Sequence, residues 1–435
     1  MAELAGRALL RRYRTIIGEG IWVVAGQGAT AVLTLLGTRL MTQFVTPDLY
    51  GAVNLVQNAL TLLRNLFCSA AMNTGLRYYP DAERGGYVPA LRRMLKRSLG
   101  RALVAMELVA VVGGLAWSFR AGVHPVVVLV LVLYVAVDMF LALEMTLFNA
   151  ARQQRPAAIF SIVATALRPL LVVGGVLLFG ATIEVVLCAI ASSILMTLVL
   201  VHVGTRSSAI GGGSPLPPVV VAEMWRYSIP LIPIALLNWT TSVSDRYIIE
   251  WVSHDVSGVG VYAAGYGLIS QPLLLIHGVV ALTLRPVYFA AVSRGDAAHA
   301  KRTFAAWLAT TASICMLATL SIYLARAPLV GLLLGPKYRG AAAFVPWIAL
   351  GYLFYAIEQV LEQSLLAHKQ TSSVLVAQIF GALASVAITI PCVMRFGAVG
   401  AAYACPIYFL IQMVAAAALV RVGNAVAGRA VGVDS

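Results

Sequence analysis

The sequence predicts an all-α, polytopic membrane protein, and three observations predict it. Of the 435 residues, 60% are hydrophobic and 11% are charged, whereas soluble domains carry about 25% charge. Mean hydropathy is +0.89, and apolar runs recur along the whole chain. Each run is long enough to cross a bilayer, because about 20 helical residues cover about 30 Å. Short polar or basic breaks separate the runs, and hydrocarbon admits only elements that satisfy their own backbone groups, which makes the runs helices.

The N-terminal MAELAGRALLRRYR is basic. The apolar stretch after it is too long for a cleaved signal and shows no small-residue cleavage site, so Arg7, Arg11, Arg12 and Arg14 form an arm before a first span at about 16–44. Its middle, VVAGQGATAVLTLLG, is rich in small residues that allow close helix packing. After the turn TPDLYG, a second span at about 50–79 is polar on one side, with Gln57, Asn58, Arg64 and Asn65. A basic segment follows, Asp81 to Arg101, with six arginines and lysines and a part that reads as an amphipathic surface helix. The third span ends near Phe119; the fourth holds Asp138 and Glu144; the fifth contains Arg168 and Pro169; the sixth covers about 183–202.

TRSSAIGGGSPLPP, Thr205 to Pro218, reads as a linker because Gly, Ser and Pro deny it regular structure. Six further spans follow, at about 225–251, 260–289, 303–324, 342–366, 372–393 and 397–421. In the first, Pro230 and Pro233 interrupt the near half; Arg285 and Pro286 break the end of the next. The division is therefore a six-helix lobe at 1–204, a linker at 205–218, a six-helix lobe at 219–423 and a flexible tail at 424–435. The halves resemble each other, with Gly51 and Gly260 at equivalent places, and six-plus-six around a central linker is a common transporter plan.

The net charge of +14 reads as positive-inside bias, to which anionic lipid or substrate adds, rather than as a nucleic-acid surface. With both termini inside, the cytoplasmic segments take most of the basic residues; the outer turns take only Arg120, Arg326, Lys337, Arg339 and Arg395. The five cysteines, Cys68, Cys188, Cys315, Cys392 and Cys405, are scattered in apolar runs, have no metal spacing and read as small core residues. There is no phosphate loop, zinc helix or nucleophile elbow, so the reading is a non-enzymatic transporter without cofactor.

Several charges remain in or near spans. Arg39, Arg77, Arg226 and Arg285 lie near span ends, where snorkelling competes with function. Arg64 and Arg168 lie deeper, and a structural ion pair competes with a substrate role. Asp245 and Arg246 are adjacent and point about 100° apart on a helix, so they do not form one tidy pair on a single face, and at least one is expected to reach another helix. Glu358 and Glu362 are four apart on one face; they share a proton, bind a cation, or, beside Gln359 and Gln363, form a merely wet helix.

GQG at Gly26–Gly28, YG at Tyr50–Gly51, RYYP at Arg77–Pro80, WRYSIPLIP at Trp225–Pro233, SDRYII at Ser244–Ile249, VGVYAAGYGL at Val259–Leu268, LGPKYRGAA at Leu334–Ala342 and FGAVGAAYA at Phe396–Ala404 occur in this order. Together they resemble the polysaccharide-export (Wzx-type) flippases of the multidrug/oligosaccharidyl-lipid/polysaccharide superfamily. The resemblance implies about twelve helices in two six-helix lobes around a central cavity. It implies movement of undecaprenyl-diphosphate-linked oligosaccharide across a bacterial inner membrane, without nucleotide hydrolysis and with H+ or Na+ coupling in some members. The expected partners are the lipid-linked oligosaccharide, membrane lipids, and a polysaccharide polymerase and chain-length regulator, with the protein working as a monomer and without nucleic acid. A diphosphate favours arginine, which offers a fork of donors. The candidates for that wall are Arg64, Arg168, Arg246 and Arg285, with Asp245 aligning one guanidinium. Sugar contacts fall to Gln57, Asn58, Asn65, Tyr262, Tyr266 and Gln271, and ion coupling to Asp138, Asp245, Glu358 and Glu362. Two alternatives stay open: a cation-coupled multidrug exporter, and a non-transporting membrane subunit of a polysaccharide assembly complex.

Overall fold

A computed structural model describes residues 2–122, 124–205 and 218–433, with side chains for 22, 24–119, 122, 124–204, 220–229 and 231–422. The expected linker lies outside the described residues save for its two ends, and so do the side chains of the expected tail. The described residues form helices: α1 Ala2–Phe44, α2 Pro47–Arg84, α3 Val88–Ala121, α4 Val126–Ala150, α5 Gln154–Phe179, α6 Ile183–Thr205, α7 Pro218–Ser228, α8 Ile232–Ser253, α9 Val256–Ser293, α10 Ala297–Leu324, α11 Arg326–Leu333, α12 Val345–Ala367, α13 Thr371–Phe396 and α14 Ala398–Val433.

Among the described residues nine helices are long and apolar enough to cross a membrane. The number is ten if α12 and the 3-10 segment before it, bent by 55°, make one span. The expected second span, α2, is not among the nine because its polar side dilutes the apolar one. The outward face of α3 shows what surrounds these helices. Val104, Leu108, Val112, Leu115 and Phe119 recur at helical spacing and are all exposed, while Leu91, Leu95, Leu99 and Met106 are buried on the other side. A continuous exposed apolar stripe of this kind suits lipid and not water.

Two expectations about helix ends are corrected. The α7–α8 region breaks as expected, with a 3-10 turn at Ile229–Leu231 between the two helices. Arg285 and Pro286, by contrast, do not end a helix: α9 passes through Pro272 and Pro286 to Ser293. Proline is tolerated in a membrane helix where neighbouring groups satisfy the freed carbonyl. The basic segment 88–101 is not a separate surface helix but the first turns of α3, which at 34 residues is about 51 Å long. That exceeds a hydrocarbon core of about 30 Å, so the charged turns stand clear of it. Of the cysteines, Cys68, Cys315 and Cys405 are buried, but Cys188 is exposed and Cys392 half-buried, because a thiol behaves as a small apolar group and lipid accepts it as readily as a core does.

The chain divides into two compact units. One comprises Met1–Gly37 and Ala59–Ala235, the other Thr38–Asn58 and Leu236–Ser435. In the first, α4 packs on α3 and α6, and α5 on α6. In the second, α14 packs on α12 and α13, and α9 and α10 pack on each other and on α12. The hairpin where α1 meets α2 is clasped within the second unit. The Gly335 amide donates to Thr42 Oγ1 at 2.8 Å, Tyr338 donates its hydroxyl to the Val45 carbonyl at 3.1 Å, and Arg39 donates to the Leu334 carbonyl.

Turns repeat between the halves. Left-handed Arg152 follows α4 and left-handed Lys369 follows α12. Each is followed by a glutamine whose amide bonds back five residues, Gln153 to Phe148 and Gln370 to Leu365, both at 2.9 Å. Left-handed Gly86 and Gly295 end α2 and α9 with the same pattern, Tyr87 to Ala82 at 3.0 Å and Asp296 to Ala291 at 3.1 Å. These are the carbonyl-satisfying helix stops that a left-handed residue permits.

The equivalently placed Gly51 and Gly260 touch. A Cβ on Gly51 would overlap the Val256 carbonyl oxygen, and one on Gly260 would overlap the Pro47 carbonyl oxygen. Backbone at such range cannot yield cheaply, and overpacking costs about 1–3 kcal/mol. Gly51→Ala and Gly260→Ala are therefore expected to lower the melting temperature of the detergent-purified protein. Gly267→Ala, where a Cβ meets nothing within 4 Å, leaves it unchanged.

Candidate functional site

In the first unit the deep charges converge. Arg64 lies in the middle of α2, and its Nη1 donates to Asp138 Oδ2 of α4 at 2.8 Å. The two side chains are 26% and 20% exposed, so the pair is reachable. Arg168 of α5 is exposed and acts electrostatically on the same carboxylate. The next residue, Pro169, is buried against Gly37 of α1, where a Cβ would come within 2.9 Å of the ring. Arg64 and Arg168 thus both act on the Asp138 carboxylate, Arg64 by direct contact. Charges within membrane spans face a bundle interior or a water-filled space. Glu144 is occupied by Lys96 at 3.5 Å.

In the second unit Asp245 and Arg246 pair although their Cβ vectors diverge, and Asp245 also reaches another helix, as expected. Arg246 Nη1 reaches Asp245 Oδ1 at 2.8 Å and also the Ser242 carbonyl at 2.8 Å. The 100° between adjacent positions applies to Cα–Cβ vectors, and the arginine stem is long enough to fold back across it. Asp245 is 0% exposed and Arg246 6%. The Tyr262 hydroxyl donates to Asp245 Oδ2 at 2.6 Å. The guanidinium lies 4.3 Å from the centroid of the Tyr266 ring and 5.8 Å from that of Tyr262, and Tyr352 donates to the Tyr266 hydroxyl at 3.0 Å. Tyr262 and Tyr266, sugar candidates from the sequence, are thus buried members of this cluster. Arg246 Nε has no hydrogen-bond partner.

A second buried network joins α12, α13 and α14. Gln359 Nε2 donates to Glu358 Oε2 at 3.0 Å, Gln378 Nε2 donates to Glu362 Oε2 at 2.9 Å, and Gln412 Nε2 donates to Gln378 Oε1 at 3.3 Å. Glu358 is 1% exposed. Its Oε1 and the Oε1 of Gln412 are among the buried polar atoms without a hydrogen-bond partner, and a proton on the Glu358 carboxyl would turn it into a donor. Gln378 and Gln412 were not singled out from the sequence. Their signal was a lone amide in an otherwise apolar span, which usually marks an interhelical contact.

The other candidates are not gathered into these clusters. Asn58 donates to Asn54 Oδ1 at 2.8 Å, and its carbonyl accepts from Trp239 Nε1 at 3.0 Å. Gln57 and Asn65 are half-buried, and Gln271 and Arg285 are exposed on α9. Among the described residues no group of three or more His, Cys, Asp or Glu could hold a metal.

Truncating one member of a buried ion pair strands the other, at about 3–5 kcal/mol. Arg246→Ala is accordingly expected to destabilise the protein by that order. The double change Asp245→Asn with Arg246→Gln, which leaves no bare charge, is expected to cost less than Arg246→Ala alone. Thermal unfolding in detergent reads the difference; equal losses would mean the pair is not what is being stranded.

Solved structures with the same fold are membrane transporters. The lipid II flippase MurJ in an inward closed conformation superposes with a TM-score of 0.73 at 14% identity, covering 92% of this chain and 87% of that one. An inward-facing multidrug resistance MATE family transporter of the MOP superfamily gives 0.67 at 14% identity, covering 92% and 96%. A mutant of the Vibrio cholerae MATE transporter VcmN gives 0.65 at 11%, covering 94% and 96%. At these identities the likeness is one of fold. No curated protein sequence matches the chain. Residues 40–343, well over half of the length, match the family described as polysaccharide biosynthesis protein, and the chain belongs to that family.

Proposed function

We propose that the protein is a flippase that moves an undecaprenyl-diphosphate-linked oligosaccharide across the bacterial inner membrane for a surface polysaccharide. In this reading about twelve helices form two lobes around a central path, both termini are cytoplasmic, and the protein works as a monomer beside a polymerase and a chain-length regulator. The observation that carries the reading is the half-buried, solvent-reachable Arg64, whose Nη1 meets Asp138 Oδ2 at 2.8 Å while Arg168 acts electrostatically on the same carboxylate. A diphosphate must leave water to cross, and an unpaired buried charge costs several kcal/mol. Arginine forks offset that cost. Membership of the polysaccharide biosynthesis family and the fold shared with a lipid flippase support the same cargo class. Arg246, neutralised and buried, takes a structural part, while Arg285, exposed on α9, keeps the part read from the sequence. Sugar contacts fall to the half-buried Gln57, Asn58 and Asn65. Glu358 is the coupling carboxyl in this proposal, since its orphaned oxygen calls for a proton or cation.

The second reading, a cation-coupled multidrug exporter, draws on the buried acids of α12 and the MATE-like fold. Leaflet-resolved flipping of labelled lipid-linked oligosaccharide in proteoliposomes separates the two. Arg64→Ala and Arg168→Ala are each expected to slow flipping by about 10- to 100-fold at matched protein levels, the worth of a hydrogen bond to a charged group. Normal flipping by both would sink the anion-path reading, and efflux of lipophilic cations by a protein unable to flip would replace it. Glu358→Gln is expected to flip cargo down its gradient while losing acceleration by an imposed pH or Na+ gradient; retained acceleration would remove Glu358 from the coupling role.

A further inference from the structure

A cavity of about 590 Å³ opens in the first unit between the start of α3 and α7. Arg93, Arg97 and Arg101 line one wall with Ser98 and Met94, and Trp225 of α7 lines the other. The three arginines are spaced i, i+4 and i+8, so they stack on one face of α3. Like charges at that spacing repel. Other basic residues of the same stretch have carboxylates: Arg77 and Arg84 share Asp81, and Lys96 takes Glu144. Among the described residues the three in the cavity pair with none, and no carboxylate is among the lining residues. Positive-inside bias accounts for basic residues on this side but not for three unneutralised guanidiniums gathered in a concavity.

The opposite wall is held in place. Ser228 at the end of α7 lies 2.7 Å from Thr74 Oγ1 of α2, Tyr227 meets Tyr78 edge-on at 6.0 Å, and Met224 is fully buried. Trp225 therefore stands as a fixed aromatic wall. The cavity sits on the basic turns of α3 that precede its exposed apolar stripe; arginine and tryptophan together are the residues favoured at a membrane interface.

We infer that this cavity is a phosphate-binding site for the headgroup of an anionic lipid, held by Arg93, Arg97 and Arg101 against Trp225. Guanidinium forks bind phosphate oxygens bidentately, and acyl or polyprenyl chains leave toward the exposed apolar stripe that begins at Val104 on the same helix. The site is separate from the Arg64–Asp138–Arg168 cluster and does not rest on the flippase reading. An ordinary anionic phospholipid and the diphosphate-headed polyprenyl carrier both present the required group.

Native mass spectrometry of the full-length protein in detergent tests this. The probes are phosphatidylglycerol, undecaprenyl diphosphate and, as a zwitterionic control, phosphatidylcholine. The wild type is expected to retain at least one of the two anionic probes in preference to phosphatidylcholine, and which one it retains identifies the source. Arg93→Gln, Arg97→Gln and Arg101→Gln together are expected to weaken that binding about a hundredfold, since each basic group near a membrane surface contributes a factor of about five. The corresponding triple lysine variant should keep most of it. Neutralising Arg294, Lys301 and Arg302, which are exposed around the α9–α10 turn, should change it less than twofold. Equal losses in the two triple-glutamine variants, or no preference for either anionic probe, would overturn the site. The lysine variant guards against misfolding, because it preserves charge and stem: loss in both the lysine and glutamine variants, with elution and melting unchanged, would also overturn it.

Discussion

Hydrocarbon offers no hydrogen-bond partner, and the interior of each unit is arranged around that deficit. Every buried polar group must find its partner within the protein or cost several kcal/mol. Threonines and serines along the helices turn their hydroxyls back to carbonyls one turn earlier, as Thr30 does to Gly26 and Thr241 to Leu237. Asp245 spends both oxygens, one on Arg246 and one on Tyr262. The demand is not met everywhere: Arg246 Nε, Glu358 Oε1 and Gln412 Oε1 are among the buried polar atoms left without a hydrogen-bond partner.

The same constraint separates the arginines into kinds. Arg246 is sealed among tyrosine rings and its own carboxylate, so it holds α8 and α9 together. Arg64 is paired but reachable, and shares its acid with a second arginine. Arg93, Arg97 and Arg101 stand in a concavity with no acid among its lining residues. One residue type thus stands in three settings, sealed in a buried pair, half-exposed beside an acid, and gathered in an acid-free concavity, and the roles proposed for it differ accordingly.

Close backbone approach is the other organising device. Gly51 and Gly260 let the starts of α2 and α9 meet carbonyl to Cα, and Gly335 does the same against Thr42. These contacts explain why residues 38–58, from the first half of the sequence, belong to the second compact unit. Recurrent left-handed stops at Arg152 and Lys369 and at Gly86 and Gly295 carry the internal repeat into the turns, where residue identity had hidden it.

The sequence by itself determined the fold class, most helix positions and the α7–α8 break, because hydropathy period and proline chemistry act locally. It also placed the charges that lipid would reject, and so named Arg64, Asp138, Asp245, Arg246 and Glu358 as worth attention. Which of these meet was decided by tertiary structure alone. Side-chain reach brought Arg246 back to Asp245, contrary to the angle between their Cβ vectors, and helix packing brought Gln378 and Gln412 to the glutamates. Arg285 and Pro286 were read as breaking the end of a span at about 260–289, yet α9 runs unbroken through them to Ser293. The cavity at Arg93 could not be read from a basic run, because a stripe of arginines becomes a site only when a second helix supplies the facing wall.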